Sequence, residues 1–146
     1  MIAVREVTKR FGATPALDAV SLEVRPGTTH VLLGSSGSGK STILRLILGL
    51  IWPDSGSVRV DGTPVEPATR DGLLARMGYV VQDGGLYPHL TAFDNVALAA
   101  EAQRWPRSRM AGRVGELAEL TGLDGDMLRR YPRELSGGQR QRVGLM

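Results

Sequence analysis

Among its 146 residues the chain has no cysteine, two lysines, two phenylalanines, two tryptophans and three tyrosines. Each scarcity excludes something. Without cysteine there are no disulfides and no thiolate metal sites, a composition suited to a reducing compartment. No apolar run reaches the roughly 18 to 20 residues that a membrane-spanning helix requires, and the longest, Ile43 to Trp52, is interrupted by Arg45. The opening MIAVREVTKRFG carries charge where a secretory leader has its apolar core, which predicts a chain retained in the cytoplasm. Apolar residues make up 42% and charged residues 23%, proportions ordinary for a soluble globular domain and unlike those of a disordered or fibrous chain.

The formal charge of +3 is mild, but the cations are lopsided: sixteen arginines against two lysines. They are spread along the sequence, which reads as a solvated surface and gives no stripe for nucleic acid. The imbalance isolates Lys40, a compact ammonium in a chain that otherwise prefers guanidinium.

Along the chain, IAVREV (2–7) and LDAVSLEV (17–24) carry strand patterns separated by the turn-like KRFGATPA. THVLLG (29–34) reads as a buried strand that begins at His30, KSTILRLILGL (40–50) as an internal helix, and PDSG (53–56) as a turn. SVRVDG (57–62) and GYVVQ (78–82) read as further strands, and Trp52 as a core residue. Helical patterns follow. Thr91 with Asp94 and Ser136 with Gln139 have capping-box spacing, while Met110, Val114 and Leu117 share one face of a helix that stops near Gly122. The expected fold class is α/β: a core of mixed β-sheet with helices over residues 1–82, then a helical subdomain over 83–146.

Between THVLLG and the helix lies Gly34-Ser35-Ser36-Gly37-Ser38-Gly39-Lys40-Ser41, a full match to G-x-x-x-x-G-K-[ST]. Glycines let successive N–H groups turn inward toward phosphate oxygens, and the helix adds its positive end. In that arrangement Lys40 reaches the β- and γ-phosphates, Ser41 ligates Mg²⁺ and Thr42 lies toward the α-phosphate. The strand-loop-helix context is the one the motif requires. No N-K-x-D segment accompanies it, since Asn95 is the only asparagine and Val96 follows, which favours adenine over guanine.

Three segments in order, GSSGSGKST, VVQDGGLYPHLTAFDNV and LSGGQRQRV, resemble the ATP-binding subunits of ABC transporters. The resemblance runs from the first strand to Met146 and implies a P-loop NTPase core. It places Phe11 where an aromatic ring stacks on adenine, and Gln82 where an amide contacts Mg²⁺ and the attacking water. The LYPHLT stretch that contains His89 matches the surface that docks a permease coupling helix. Ser136, Gly137, Gly138 and Gln139 match the signature, which in this family faces the γ-phosphate bound by a second ATPase subunit in a head-to-tail dimer. The family pattern leaves Arg140 and Arg142 either at that dimer interface or on a solvated helix face.

The resemblance further implies ATP and Mg²⁺ as cofactors, permease subunits as partners, no nucleic acid, and a cytoplasmic position on the inner face of the membrane. The stretches YVVQDGGLYPHLTAFDNV and QRVGLM resemble importers of glycine betaine and related quaternary amines. The family pattern continues with an apolar strand ending in Asp and Glu and, later, a switch histidine. No such run occurs in the 146 residues. The expectation is therefore a fragment lacking the C-terminal part of the core, with little or no hydrolysis by this chain alone. A non-catalytic nucleotide-binding remnant is the alternative reading, and a soluble ABC ATPase a more distant one.

Overall fold

Residues that alternate apolar and polar near the start of the chain build its sheet. The computed structural model describes residues 1–81 and 84–146, and these divide into two compact units, Met1–Gly78 and Tyr79–Met146.

In the first unit, β1 (Ile2–Phe11) and β2 (Thr14–Val24) form an antiparallel hairpin that closes at the Phe11–Thr14 pair. The other edge of β1 pairs with β3 (Ser55–Val60), which pairs with the short β4 (Thr63–Pro64), giving the order β2-β1-β3-β4. The β1–β2 register slips where Glu6 and Ala19 adopt φ of 49° and 47°. Hydroxyls repair the bulges, because Ser21 Oγ accepts from Glu6 N at 2.9 Å and Thr8 Oγ1 accepts from Ala19 N at 3.1 Å. Helix α1 (Lys40–Ile47) presses Ile43, Leu46 and Ile47 against Val4, Val7, Leu17 and Val58, and α2 (Arg70–Leu74) adds Leu73. Full burial of each such side chain contributes about 1.5–3 kcal/mol relative to leaving it exposed.

Two expected strands are not formed. Residues 29–34 and 78–81 have strand-like sequence but form no strand. Val31 and Leu33 are 72% and 88% exposed, and His30 is exposed as well. A buried strand needs neighbours on both edges to take up its backbone N–H and C=O groups, and among the described residues no strand pairs with either segment. Every strand pair in the described residues is consequently antiparallel. Trp52 is also not core; it is 37% exposed, with the edge of its ring lying over Gly49.

One carboxylate ties β1 to the turn before β3. Asp54 accepts from Lys9 Nζ at 2.9 Å and from Arg10 N at 2.7 Å. The Lys9 bond first, and the Arg10 amide second, hold its pKa below the ordinary value. A depressed carboxylate contributes stability above its unfolded pKa of about 3.9 and loses it as pH falls through the folded value. Asp61 behaves likewise, bonded by the Met1 ammonium and by Arg76. Unfolding midpoints followed below pH 4 will therefore fall less steeply for Asp54→Asn than for the parent chain.

In the second unit, α3 (Ala92–Ala102) opens with the Thr91/Asp94 capping box, and α4 (Arg107–Thr121) buries Met110, Val114 and Ala118. Helix α4 ends at Gly122 in the left-handed region, where the Leu123 amide reaches back to Ala118 O at 2.8 Å. Two 3₁₀ turns, Gly125–Arg129 and Pro132–Glu134, lead into α5 (Gly137–Leu145). Ala92, Ala118, Leu123, Leu135 and Val143 form this unit's core.

Asn95 organises the loop in front of α3. Its Oδ1 accepts from Tyr87 N at 2.7 Å, and its Nδ2 lies 3.2, 3.2 and 2.9 Å from the carbonyls of Tyr87, Leu90 and Thr91. An amide has two N–H groups, so two of those three acceptors are well served at once. An Asn95→Ala chain will lose about 1–2 kcal/mol in thermal unfolding, and the Tyr87 amide will exchange faster with solvent.

Candidate functional site

The phosphate-loop motif folds as a tight connection from Leu33 into α1. Gly34, Gly37 and Gly39 have φ of 156°, 82° and 87°. Gly39 is the residue that packing demands: an added Cβ would lie 2.7 Å from both Ala16 O and Leu17 Cδ2 of β2. It is also the left-handed N-cap of α1, with no side-chain cap, and its carbonyl accepts from Ile43 N at 2.9 Å. The first-turn amides of α1 thus have no partner within the helix and no side-chain cap.

Lys40 draws the loop together. Its Nζ donates to Gly34 O at 2.8 Å, to Ser35 O at 2.7 Å and to Ser38 Oγ at 3.2 Å. All three ammonium hydrogens are thereby engaged, and the charge is held within reach of both ends of the loop. Ser35, Ser36 and Ser38 are exposed, Ser41 is exposed on the first turn of α1, and Thr42 is half-buried. This donor set, an ammonium, hydroxyls and a helix N-terminus, fits a polyphosphate. No group of His, Cys, Asp or Glu that could hold a metal occurs among the described residues. Magnesium bound with a nucleotide takes one or two protein ligands and fills the rest with water and phosphate oxygens, and the Ser41 hydroxyl suits that role.

Phe11 ends β1 opposite Thr14, three residues along β2 from the Leu17 that packs on Gly39. Its ring is 52% exposed, with Lys9 Nζ 5.7 Å from the centroid. Gln82 lies outside the described residues.

The signature folds as a capped helix start. Ser136 is the N-cap of α5: its Oγ accepts from Gln139 N at 3.2 Å, and Gln139 Oε1 accepts from Ser136 N at 2.8 Å. Ser136, Gly137 and Gly138 are exposed while Leu135 and Val143 anchor the helix in the core. Arg140 and Arg142 turn back onto their own unit. Arg140 NH1 donates to Leu135 O at 2.7 Å and Arg142 NH1 to Gly122 O at 2.7 Å. Arg140 thus braces the turn that presents Ser136, whereas the exposed Arg142 ties α5 to the end of α4.

The sequence reading missed a crossing behind that helix. Gly144 lies against Gly84: a Cβ on Gly144 would meet Gly84 O at 2.7 Å, and one on Gly84 would meet Arg140 O at 2.9 Å. The paired glycines, one in a loop and one late in α5, were the available signal. It points to close backbone approach only once the two segments are known to meet.

A glycine-rich loop feeding a helix, and a second glycine turn capped by a serine, define a nucleotide-binding cassette of the phosphate-loop class. The profile described as ABC transporter matches residues 17–146, and the chain belongs to that family. It is 43% identical over 145 residues to the glycine betaine uptake system ATP-binding protein YehX of Escherichia coli, covering 99% of this chain and 47% of that protein. It is 47% identical over 149 residues to the sulfate/thiosulfate import ATP-binding protein CysA of Bradyrhizobium diazoefficiens, covering 99% and 42%. The chain therefore spans about half the length of the curated relatives it matches. Among solved structures, the dimeric, post-hydrolysis ATP-binding cassette MJ0796 with ADP and Pi superposes with a TM-score of 0.88 at 32% identity, covering 99% of this chain and 67% of that one. The α/β fold class read from the sequence is thus the fold of an ABC cassette.

Proposed function

We propose that the protein is the ATP-binding and ATP-hydrolysing subunit of a membrane importer, and that residues 1–146 supply the nucleotide-holding half of its machinery. The observation that carries this reading is Lys40 at the start of α1, whose ammonium bonds Gly34 O, Ser35 O and Ser38 Oγ of the loop. In this reading Gly34 to Thr42 wrap the phosphates, with Ser41 as a magnesium ligand and Phe11 stacking on adenine. Magnesium supplies charge neutralisation between the outer phosphates, and Gln82 is assigned to the metal and the attacking water.

Ser136, Gly137, Gly138 and Gln139 are assigned to the nucleotide of a second subunit in a head-to-tail dimer. The exposed glycine turn and its capping box support that role, because the cap fixes the helix end whose positive potential meets the phosphate. The dimeric assembly of the MJ0796 cassette also supports it. The permease docks, in this proposal, on the loop 86–91, which Asn95 braces and beside which Thr91, Phe93, Asp94, Gly125, Leu128 and Arg129 line a cavity of about 520 Å³. Among the described residues no helix is long and apolar enough to cross a membrane, and we place the subunit on the cytoplasmic face through the permease. Relatives that import glycine betaine and sulfate or thiosulfate support a small-solute cargo, and a quaternary amine is the substrate class proposed.

Titration of the chain with a fluorescent ATP analogue tests the reading. Binding that Mg²⁺ strengthens, and that ATP displaces better than GTP, is the expected result. No saturable binding, or equal displacement by GTP, would sink it.

A further inference from the structure

The side of α4 turned away from its core carries a stripe that the proposed cycle does not use. At 100° per residue, Arg109, Arg113, Glu116 and Leu120 fall together, opposite the buried Met110, Val114 and Ala118. Trp105, at the junction with α3, extends the stripe. Its ring lies under the Arg109 guanidinium, 3.6 Å from the centroid, and its Nε1 donates to Gln103 Oε1 at 3.1 Å. Trp105, Arg109, Gly112, Arg113 and Glu116 line an open cavity of about 620 Å³. Leu120, further along, is 77% exposed.

The charge here is concentrated, unlike that of the chain as a whole. Arg104, Arg107, Arg109 and Arg113 are all exposed, and no acid occurs between Glu101 and Glu116. Glu116 is taken up by Arg113 at 2.8 Å. Arg104 stands at φ 56°, ending α3 in the left-handed conformation that glycine adopts with less strain.

We propose that this face of α4 binds the anionic headgroups of a lipid surface. Guanidinium groups match phosphate geometry, tryptophan settles at the headgroup level, and an exposed leucine on the same stripe has somewhere to go only in a partly apolar medium. A nucleic acid would use the arginines but leave Leu120 in water. The inference rests on the importer reading, which brings the subunit against the membrane.

Cosedimentation of the 146-residue chain with vesicles tests it. Wild-type chain pellets with phosphatidylcholine vesicles containing phosphatidylglycerol, pellets little with phosphatidylcholine alone, and is released by salt. Each arginine near an anionic surface is worth about fivefold, so Arg104→Gly, which also relieves backbone strain, weakens binding about fivefold without lowering Tm. The triple variant Arg104→Gly/Arg109→Gln/Arg113→Gln weakens it on the order of a hundredfold. Equal binding to neutral vesicles, no loss in the triple variant, or tighter binding to duplex DNA than to vesicles overturns the proposal. A chain that binds ATP but not anionic vesicles overturns this surface alone; one that binds vesicles but not ATP overturns the nucleotide reading instead.

Discussion

A Gly144→Ala substitution will destabilise the Tyr79–Met146 unit by about 1–3 kcal/mol, although alanine is the better helix former. Intrinsic propensity favours alanine over glycine inside a helix by about 1 kcal/mol. At this position sterics win. The new Cβ would sit 2.7 Å from Gly84 O, 3.1 Å from Gly84 Cα and 3.3 Å from its carbonyl carbon. All three are backbone atoms, so no side chain can swing aside. Gly84 itself stands at φ 80° and meets Arg140 O, one turn earlier on α5, so loop and helix backbones touch along a full turn. The matched control is Gly115→Ala in α4, where nothing lies within 4 Å of the added carbon; it will be neutral or stabilising by up to about 1 kcal/mol. Urea midpoints for the pair check the prediction, and equal behaviour of the two variants would contradict the crossing.

The second large effect is on binding. Lys40→Ala will weaken ATP binding about 10- to 100-fold while leaving the fold intact. Hydrogen bonds that involve a charged group are worth about 1.5–3 kcal/mol, and in the free chain the ammonium already spends its three donors on Gly34 O, Ser35 O and Ser38 Oγ. The phosphates gain the difference between those partners and their own oxygens, hence a loss smaller than the full value of two bonds. Those loop contacts are solvent-exposed, where charged interactions are worth about 0–1 kcal/mol net, so their removal will change unfolding stability by no more than about that. Lys40→Arg will not restore affinity, because a planar guanidinium cannot occupy the pocket of carbonyls that a compact ammonium fills.

What the sequence disclosed was whatever depends on neighbours in the chain. Both capping boxes, Thr91/Asp94 and Ser136/Gln139, form as their spacing predicts, because a cap involves residues only three apart. The phosphate loop lies at the start of α1, as its glycines and the apolar helix after it implied. Residues 29–34 were illegible for the opposite reason: apolar composition announces a wish for burial, but the hydrogen bonds of a central strand come from partners distant in sequence. The same holds for Arg140 and Arg142, whose carbonyl partners are set by how the 3₁₀ turns and the end of α4 pack, and for Gly84 with Gly144. Asn95 was read only for the GTP-type motif it fails to make, whereas its position in the first turn after a capping box lets it reach back over the loop 87–91.

The central claim, that residues 34–42 hold the phosphates of ATP around Lys40, is tested most directly by calorimetric titration of ATP with Mg²⁺ into the parent chain and Lys40→Ala side by side, with thermal unfolding of both. The account predicts saturable binding to the parent chain, affinity at least tenfold weaker in Lys40→Ala, and closely matched unfolding midpoints. Equal ATP affinity in two equally folded chains would contradict it.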